Sequence, residues 1–180
     1  MRRVTYKGLD FVPYIEKEKI EQRIEQLARQ IEADSKVDNP LFLCVLNGAF
    51  PFASDLFRAV NLHGSEIAFI RLKSYEGTGS TGKIKEIFGL EEDITGRTVI
   101  VVEDIVDTGR TISRLVEDLK KRNPAEVKIA SLLYKPESDE VGIRPDYVGF
   151  EIPSRFIIGF GLDLDGLARN LSDIWVLDEK

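Results

Sequence analysis

Hydrophobic positions along the first half of the chain alternate between two periods. Between residues 15 and 33, apolar side chains recur every three or four positions, which predicts an amphipathic helix. The run Leu41–Leu46 (LFLCVL) is apolar throughout and is typical of a strand covered on both faces. Phe52 and Leu56 indicate a second helix, and residues 67–72 form the next predicted strand.

The same alternation continues in the middle of the chain. Residues 98–102 (TVIVV) are the most β-branched run and predict a central buried strand. Apolar residues at helical spacing follow between Ile112 and Leu119, and residues 127–134 predict another strand. Strand, helix and strand in this order are typical of parallel βαβ units. We therefore predict an α/β fold built on a parallel sheet.

The last third of the chain has shorter apolar runs separated by proline and glycine. Tyr147–Glu151, residues 156–159 and Ile174–Leu177 each predict a short strand, which we interpret as a small lobe or an extension of the sheet edge. Two long polar connections, residues 75–88 and 135–145, separate predicted strands. The first is rich in Gly, Ser and Thr and is long enough to act as a lid.

Composition and charge narrow the functional classes. The 180 residues carry 25 Lys and Arg against 31 Asp and Glu, and the net charge of −6 argues against a nucleic-acid partner. The single cysteine, Cys44, excludes a disulfide framework, and the single histidine, His63, excludes two-histidine metal motifs. No apolar run approaches the roughly 18 residues of a membrane span, and the start MRRVTYKGLD lacks the apolar core of a secretory signal. We expect a cytoplasmic domain with no membrane partner.

The strongest chemical signal follows the central strand. Two adjacent carboxylates, Glu103 and Asp104, end that strand, and residues 107–111 (DTGRT) form a turn that opens a helix. Backbone N–H groups at a helix N-terminus, with a glycine and two hydroxyls, make a cradle for a phosphate. The carboxylates could bind vicinal ribose hydroxyls directly or through Mg²⁺, and Asp107 would suit proton transfer. The alternative is that Asp107 or Thr108 merely caps the helix.

Residues 99–111 (VIVVEDIVDTGRT) resemble the 5-phosphoribosyl 1-pyrophosphate motif of the type I phosphoribosyltransferases. Four further segments, in order, resemble the hypoxanthine-guanine branch: LKSY with its Gly/Ser/Thr loop, SLLYK, PDYVGFEIPSRFIIG and GLDLDGLAR. The resemblance implies a type I phosphoribosyltransferase fold, with a central parallel sheet flanked by helices and a small base-binding hood. It implies a single domain over residues 1–180, with a core of roughly 35–135. The hood would comprise residues from roughly 136 to 180 and the N-terminal segment.

The resemblance also implies roles for individual residues. Asp107 would act as the general base toward the purine imidazole nitrogen. Glu103 and Asp104 would bind the ribose hydroxyls and Mg²⁺. Asp163 would meet a second Mg²⁺, and its carbonyl could receive a purine 2-amino group. The 5′-phosphate would be held by Asp107, Thr108, Gly109, Arg110 and Thr111.

Base and pyrophosphate would bind through other segments. Lys135 would donate to the purine 6-oxo group and, having only donors, could not accept from the 6-amino group of adenine. Phe156 would stack on the base and Ile157 would present backbone groups to its edge, beside Asp163. The pyrophosphate site would comprise Leu46, Asn47, Gly48, Ser74, Tyr75 and Arg169. Asn47 stands where several relatives have Lys or Arg, so only its backbone role is carried over.

The implied activity is purine salvage. Phosphoribosyl would pass from 5-phosphoribosyl 1-pyrophosphate to N9 of hypoxanthine or guanine, giving IMP or GMP and pyrophosphate, in a homodimer or homotetramer. One alternative is a transferase that prefers xanthine or another nucleobase. The other is a donor-sensing regulatory protein on the same fold that binds nucleic acid, which the acidic balance disfavours.

Overall fold

Two β-sheets and three helices account for the regular structure of the described residues. The structure, a computed structural model, describes residues 2–34, 39–74 and 84–179. The elements in chain order are β1 (Val4–Tyr6), β2 (Leu9–Ile15), α1 (Lys17–Ala33), β3 (Leu41–Leu46), α2 (Phe50–Ala59), β4 (Glu66–Ser74), β5 (Ile84–Phe88), β6 (Thr98–Val106), α3 (Arg110–Lys120), β7 (Glu126–Tyr134), β8 (Tyr147–Glu151), β9 (Ile157–Ile158) and β10 (Ile174–Leu177).

The larger sheet carries the strands of the predicted βαβ units. Its order is β5-β4-β3-β6-β7-β8, and the five strands other than β5 run parallel. At one edge, β5 pairs antiparallel with β4. The predicted α/β fold with a central parallel sheet is confirmed.

Alternate residues of the central strands point to two different helical layers, as the twofold repeat of a strand requires. Phe42 and Cys44 of β3 pack in one hydrophobic cluster with α1 and α2. Leu41, Leu43 and Val45 pack in a second cluster with α3. Because both faces of the sheet are covered, the strands are continuously apolar rather than alternating.

Strand β6 is longer than the sequence pattern predicts. Its pairing with β3 stops at Val102, but its pairing with β7 continues to Val106. The two carboxylates therefore lie inside the strand and do not end it, because β7 supplies hydrogen-bond partners that the local pattern cannot reveal. Asp104 has no partner strand on the β3 side, which leaves room for the loop that follows β3.

The smaller sheet joins the two ends of the chain in the order β1-β2-β10-β9, with every pairing antiparallel. Strands β9 and β10 correspond to two of the three short predicted strands. The third, β8, extends the edge of the larger sheet parallel to β7. Strands β1 and β2 are not predicted from the sequence pattern.

The predicted lid is only partly within the described residues. Residues 75–83 lie outside them, while residues 84–88 form β5 and are not an irregular loop. Pairing with β4 fixes these five residues as a strand. Within the described part of the chain, no helix has the length and apolar character needed to cross a membrane.

Candidate active site

The DTGRT turn (residues 107–111) joins β6 to α3. Helix α3 begins at Arg110, and its N-cap residue Gly109 has a φ of 76°, in the left-handed region that glycine adopts without strain. None of the described side chains hydrogen-bonds to cap this helix end, so the alternative that Asp107 or Thr108 serves as a cap is wrong. The free N–H groups of the helix start are available to an anion.

A cavity of about 120 Å³ lies at this turn. It is lined by Glu103, Ile105, Val106, Asp107, Thr108, Gly109, Thr111 and Ile112. Helix α3 buries Ile112 and leaves Arg110 and Thr111 exposed, so the polar end of the helix opens to the cavity and to solvent. The geometry and the partial positive charge of the helix start suit a phosphate group.

The two adjacent carboxylates of β6 are in unfavourable surroundings for negative charge. Glu103 is only 9% exposed, and burial together with the charge of Asp104 raises its pKa well above the usual range. Burial also raises the pKa of Asp104 to about 6, although the Ile105 N–H, 2.9 Å from Asp104 Oδ1, and the charge of Arg169 act in the opposite direction. A bound cation would relieve this pair.

Lys135 follows the last residue of β7 and faces the DTGRT turn. It is only 8% exposed, and its Nζ lies 3.0 Å from Oδ2 of Asp107. The parallel register pairs Val106 with Tyr134, so the residues after these two strands emerge at the same edge of the sheet. The site therefore joins the expected purine-binding lysine and the expected general base by a charge-assisted hydrogen bond.

Three segments that are distant in sequence converge on the other side of Asp104. The Leu46–Asn47 peptide after β3 is cis. The next residue, Gly48, packs so closely on Asp104 that a Cβ there would overlap the carboxylate oxygen Oδ2. Gly161, with a φ of 97°, packs in the same way on the carbonyl oxygen of Gly48. In this Gly48–Gly161 contact, only glycine fits at Gly161, because the clashing atom is a backbone oxygen, whereas a side chain at Gly48 would displace the Asp104 carboxylate.

Arg169 is fixed beside that contact. Its guanidinium donates to the carbonyl oxygen of Gly161 at 2.5 Å and pairs with Oδ1 of Asp163 at 2.8 Å. Oδ2 of Asp163 accepts a hydrogen bond of 2.6 Å from the Gly166 N–H. A second cavity, of about 570 Å³, is lined by Asn47, Gly161 and Arg169, among others.

The remaining candidate residues are placed less centrally. Phe156 is 44% exposed, and its ring centroid lies 6.1 Å from that of Phe11 in the smaller sheet. Ile157 is buried in β9, and Ser74 is the last residue of β4. Tyr75 lies outside the described residues.

Known proteins match this chain along most of its length. The family described as Phosphoribosyl transferase domain matches residues 14–165. The hypoxanthine-guanine phosphoribosyltransferase of Streptococcus thermophilus is 43% identical to this chain over 91% of both chains. This chain belongs to the hypoxanthine-guanine phosphoribosyltransferase family.

Solved structures of the family agree. A hypoxanthine-guanine phosphoribosyltransferase from Bacillus anthracis superposes with a TM-score of 0.82 at 37% identity, covering 93% of this chain and 97% of its own. A hypoxanthine phosphoribosyltransferase from Trypanosoma cruzi, solved as a ternary substrates complex, gives 0.85 at 36% identity, covering 96% and 97%. The resemblance drawn from the sequence is confirmed, and the chain is a phosphoribosyltransferase enzyme of the type I fold.

Sequence reasoning missed two parts of this family member's site. The contact of Gly161 with Gly48 could not be anticipated, although the glycine itself opens the GLDLDGLAR segment. The second part is the polar connection after Lys135, which contacts the DTGRT turn. Its length and two prolines were the only signals.

The residues present fit a divalent cation of the magnesium type. Within residues 2–34, 39–74 and 84–179, no three acidic, histidine or cysteine side chains come together as a metal cage. Mg²⁺ is usually held by one or two carboxylates together with waters and substrate oxygens, so a complete protein cage is not required. Glu103 and Asp104 supply such a pair, and burial raises the pKa of both, so a bound cation would stabilise their charged forms.

Proposed function

We propose that this chain transfers the phosphoribosyl group of 5-phosphoribosyl 1-pyrophosphate to N9 of hypoxanthine or guanine, giving IMP or GMP and pyrophosphate. The observation that carries the proposal is the pairing of Lys135 with Asp107 beside the DTGRT turn. It supports a site in which a donor for a purine 6-oxo group and an acceptor for a purine proton lie next to a phosphate cradle. The 6-oxo group lies on the same edge of the purine as the imidazole nitrogen other than N9.

The two charged groups divide the recognition of the base. Lys135 has only donors, so it can bind an oxo group and cannot accept a hydrogen bond from an amino group. Asp107 guides or accepts the proton of the imidazole nitrogen as N9 attacks the ribose. Phe156 stacks on the ring, Ile157 presents backbone groups to it, and the carbonyl of Asp163 receives a 2-amino group.

The remaining residues hold the donor at its two ends. The 5′-phosphate binds at the turn through Asp107, Thr108, Gly109, Arg110 and Thr111. Pyrophosphate binds to the backbone of Leu46, Asn47 and Gly48, to Ser74 and Tyr75, and to Arg169. The part of the predicted lid that precedes β5 would close over the site and exclude water, since the transition state resembles a ribosyl oxocarbenium ion that water would trap.

Glu103 and Asp104 would bind the ribose hydroxyls and hold Mg²⁺, and Asp163 would contribute to a second ion. Bound Mg²⁺ neutralises charge on the departing pyrophosphate. Burial of Glu103 supports this assignment, because a buried carboxylate without a cation is costly. Arg169 keeps Asp163 in place through the 2.8 Å ion pair.

A panel of bases tests the proposal. The chain is incubated with the donor, Mg²⁺ and each of hypoxanthine, guanine, xanthine, adenine and uracil, and pyrophosphate release is followed. We expect release with hypoxanthine or guanine and none with adenine. Release with xanthine alone would establish the alternative substrate class. Donor binding without release for any base would favour the regulatory alternative and contradict the proposal.

The family resemblance also bears on the oligomeric state and the cellular location. We propose a homodimer or homotetramer in the cytoplasm, as the family resemblance implies. Light scattering coupled to size exclusion would give the mass of the assembly, and a single-chain mass of 20.4 kDa would contradict it.

A further inference from the structure

The connection between β7 and β8 runs alongside the DTGRT turn. Its first residue, Lys135, donates its backbone N–H to Val106 O at 3.0 Å and pairs through Nζ with Asp107. Further along, the Glu140 N–H donates to Thr108 O at 3.1 Å. The last residue of β6 and the first two residues of the turn are therefore bonded to one connection, which we call the 135–143 connection.

The next two residues of the turn contact the same segment. A Cβ on Gly109 would lie 2.7 Å from Cγ2 of Ile143 and 2.9 Å from Oδ1 of Asp139, so the connection packs directly on this glycine. The side chain of Arg110 is ion-paired with Glu140. Residues 106–110 are thus each contacted by the 135–143 connection, on the backbone or side chain.

Asp139 fixes the shape of the connection. Its Oδ1 accepts hydrogen bonds from the N–H groups of Val141 at 3.0 Å and Gly142 at 2.8 Å. Its Oδ2 accepts one from the hydroxyl of Tyr134, the last residue of β7, at 2.9 Å. Because Tyr134 is buried, Asp139 ties the connection to the sheet that also carries the turn.

We propose that Asp139, held by Tyr134, is a positioning residue that sets the shape of the DTGRT turn and so determines its affinity for the 5′-phosphate. An anion site made of backbone N–H groups binds well only if those groups are held in place before the ligand arrives. The inference deepens the proposed function and rests on it.

Because Asp139 is charged, the direction in which IMP affinity changes on its removal distinguishes two explanations. A carboxylate beside a phosphate site repels the ligand, so its removal would strengthen binding if charge alone mattered. If positioning dominates, removal weakens binding even though a negative charge has gone. The two explanations predict opposite changes.

Calorimetric titration with two ligands tests the proposal. IMP uses the DTGRT turn, whereas pyrophosphate with Mg²⁺ uses the opposite side of the site. We expect Asp139→Ala to raise the Kd for IMP about tenfold and Tyr134→Phe about threefold, the effects of losing several hydrogen bonds or one. The Kd for pyrophosphate should not change in either variant.

Ser138→Ala is the matched control. Ser138 lies in the same connection, but its hydroxyl bonds Ser154 at 3.0 Å and is exposed, so both affinities should equal those of the parent. If Asp139→Ala fails to fold, Tyr134→Phe, which removes a single hydroxyl, decides the question alone.

Unchanged or tighter IMP binding in the variants would overturn the inference, and so would an equal loss of affinity for IMP and pyrophosphate. If the parent protein binds IMP and transfers phosphoribosyl, and the variants bind IMP equally well, this inference is overturned and the proposed function stands. A parent that binds no IMP would overturn both.

Discussion

The two ends of the candidate site are built in different ways. The DTGRT turn consists of consecutive residues, and one neighbouring connection contacts residues 106–110. The opposite end is assembled from three segments distant in sequence, which meet where Gly48 packs between Asp104 and Gly161. One end is therefore local in sequence and the other depends on the whole fold.

The difference decides how each end responds to change. Beside Gly109, the nearest atoms belong to the side chains of Ile143 and Asp139 in the 135–143 connection. Beside Gly161, the nearest atom is a backbone carbonyl oxygen of Gly48, which cannot move without moving its loop. Substitutions at the turn should therefore act through one neighbouring connection, while substitutions at the Gly48–Gly161 contact should displace two loops.

The largest expected effect belongs to the turn. Asp107→Asn removes the proposed proton acceptor, so kcat should fall about 100-fold or more, the usual contribution of a general base. Donor and pyrophosphate affinity should be largely retained, because the backbone N–H groups of the turn and the opposite end of the site are both unchanged. Steady-state kinetics and donor titration measure the two quantities.

Asp118→Asn is the control for that experiment, since Asp118 lies on α3 and pairs only with Lys121 among the ion pairs of the described residues. Unchanged kcat in Asp107→Asn would remove Asp107 from the role of base.

The next largest effect distinguishes the pyrophosphate end of the site from the DTGRT turn. Gly161→Ala places a methyl group on the carbonyl oxygen of Gly48, and a clash with rigid backbone costs about 2 kcal/mol, or about thirtyfold in affinity. Pyrophosphate affinity should fall by about that factor, and IMP affinity should change far less. Isothermal titration with each ligand measures both.

Gly166→Ala is the matched control for Gly161→Ala. Gly166 lies in the same loop and also has a positive φ, 84°, but its Cβ would meet nothing within 4 Å. It shares the backbone strain without the clash. Equal losses in the two variants would show that strain, and not the Gly48–Gly161 contact, accounts for the effect.

A smaller effect is expected at the base-binding lysine. Lys135→Ala should raise the KM for hypoxanthine about tenfold, the loss of one charge-assisted hydrogen bond, with little change in the KM for the donor. Initial rates at varied base and donor separate the two values.

Lys128→Ala offers a control, because Lys128 is on β7, is equally buried at 8% and is ion-paired with Asp34. It should lower stability and leave the KM for hypoxanthine unchanged. If Lys135→Ala also left that KM unchanged, the base-pocket assignment would be wrong.

A separate effect, on stability and its pH dependence and not on kinetics or affinity, is expected where the two ends meet. Burial raises the pKa of Asp104 from 3.8 to about 6, so the unfolded chain loses this proton first as the pH rises. The contribution of Asp104 to stability is therefore present below about pH 4 and is lost by about pH 6. Without Mg²⁺, Asp104→Asn should exceed the parent in stability near pH 7 by about 2 kcal/mol, and the difference should vanish towards pH 4.

Urea unfolding with a chelator present measures this difference across the pH range. Asp165→Asn, at a carboxylate that is 68% exposed, serves as the control. A stability difference for Asp104→Asn that did not depend on pH would contradict the raised pKa.

The comparison also explains what the sequence could predict. The β6–turn–α3 unit is predictable because the buried strand, the glycine and the helix period are consecutive in the chain. The extension of β6 to Val106 is not, because it depends on pairing with β7. The limits of the core and the base-binding hood stay a prediction.

The second end of the site shows why the rest escapes prediction. Strand β1 pairs with β2, and β2 pairs with β10 from the other end of the chain, so neither strand is encoded by a distinctive pattern of its own. Gly161 is needed because of Gly48, and no spacing within one segment encodes that requirement. Only the order of family-like segments placed Arg169 and Asp163 at this end.

The central claim is that one chain holds the nucleotide phosphate and pyrophosphate in separate places on either side of Asp104. Calorimetric titration of the parent with IMP, with pyrophosphate and Mg²⁺, and with each ligand after saturation by the other tests this claim most directly. We expect that both ligands bind, and that each still binds when the other is present. Displacement of IMP by pyrophosphate would contradict it, because the two would then share one anion site.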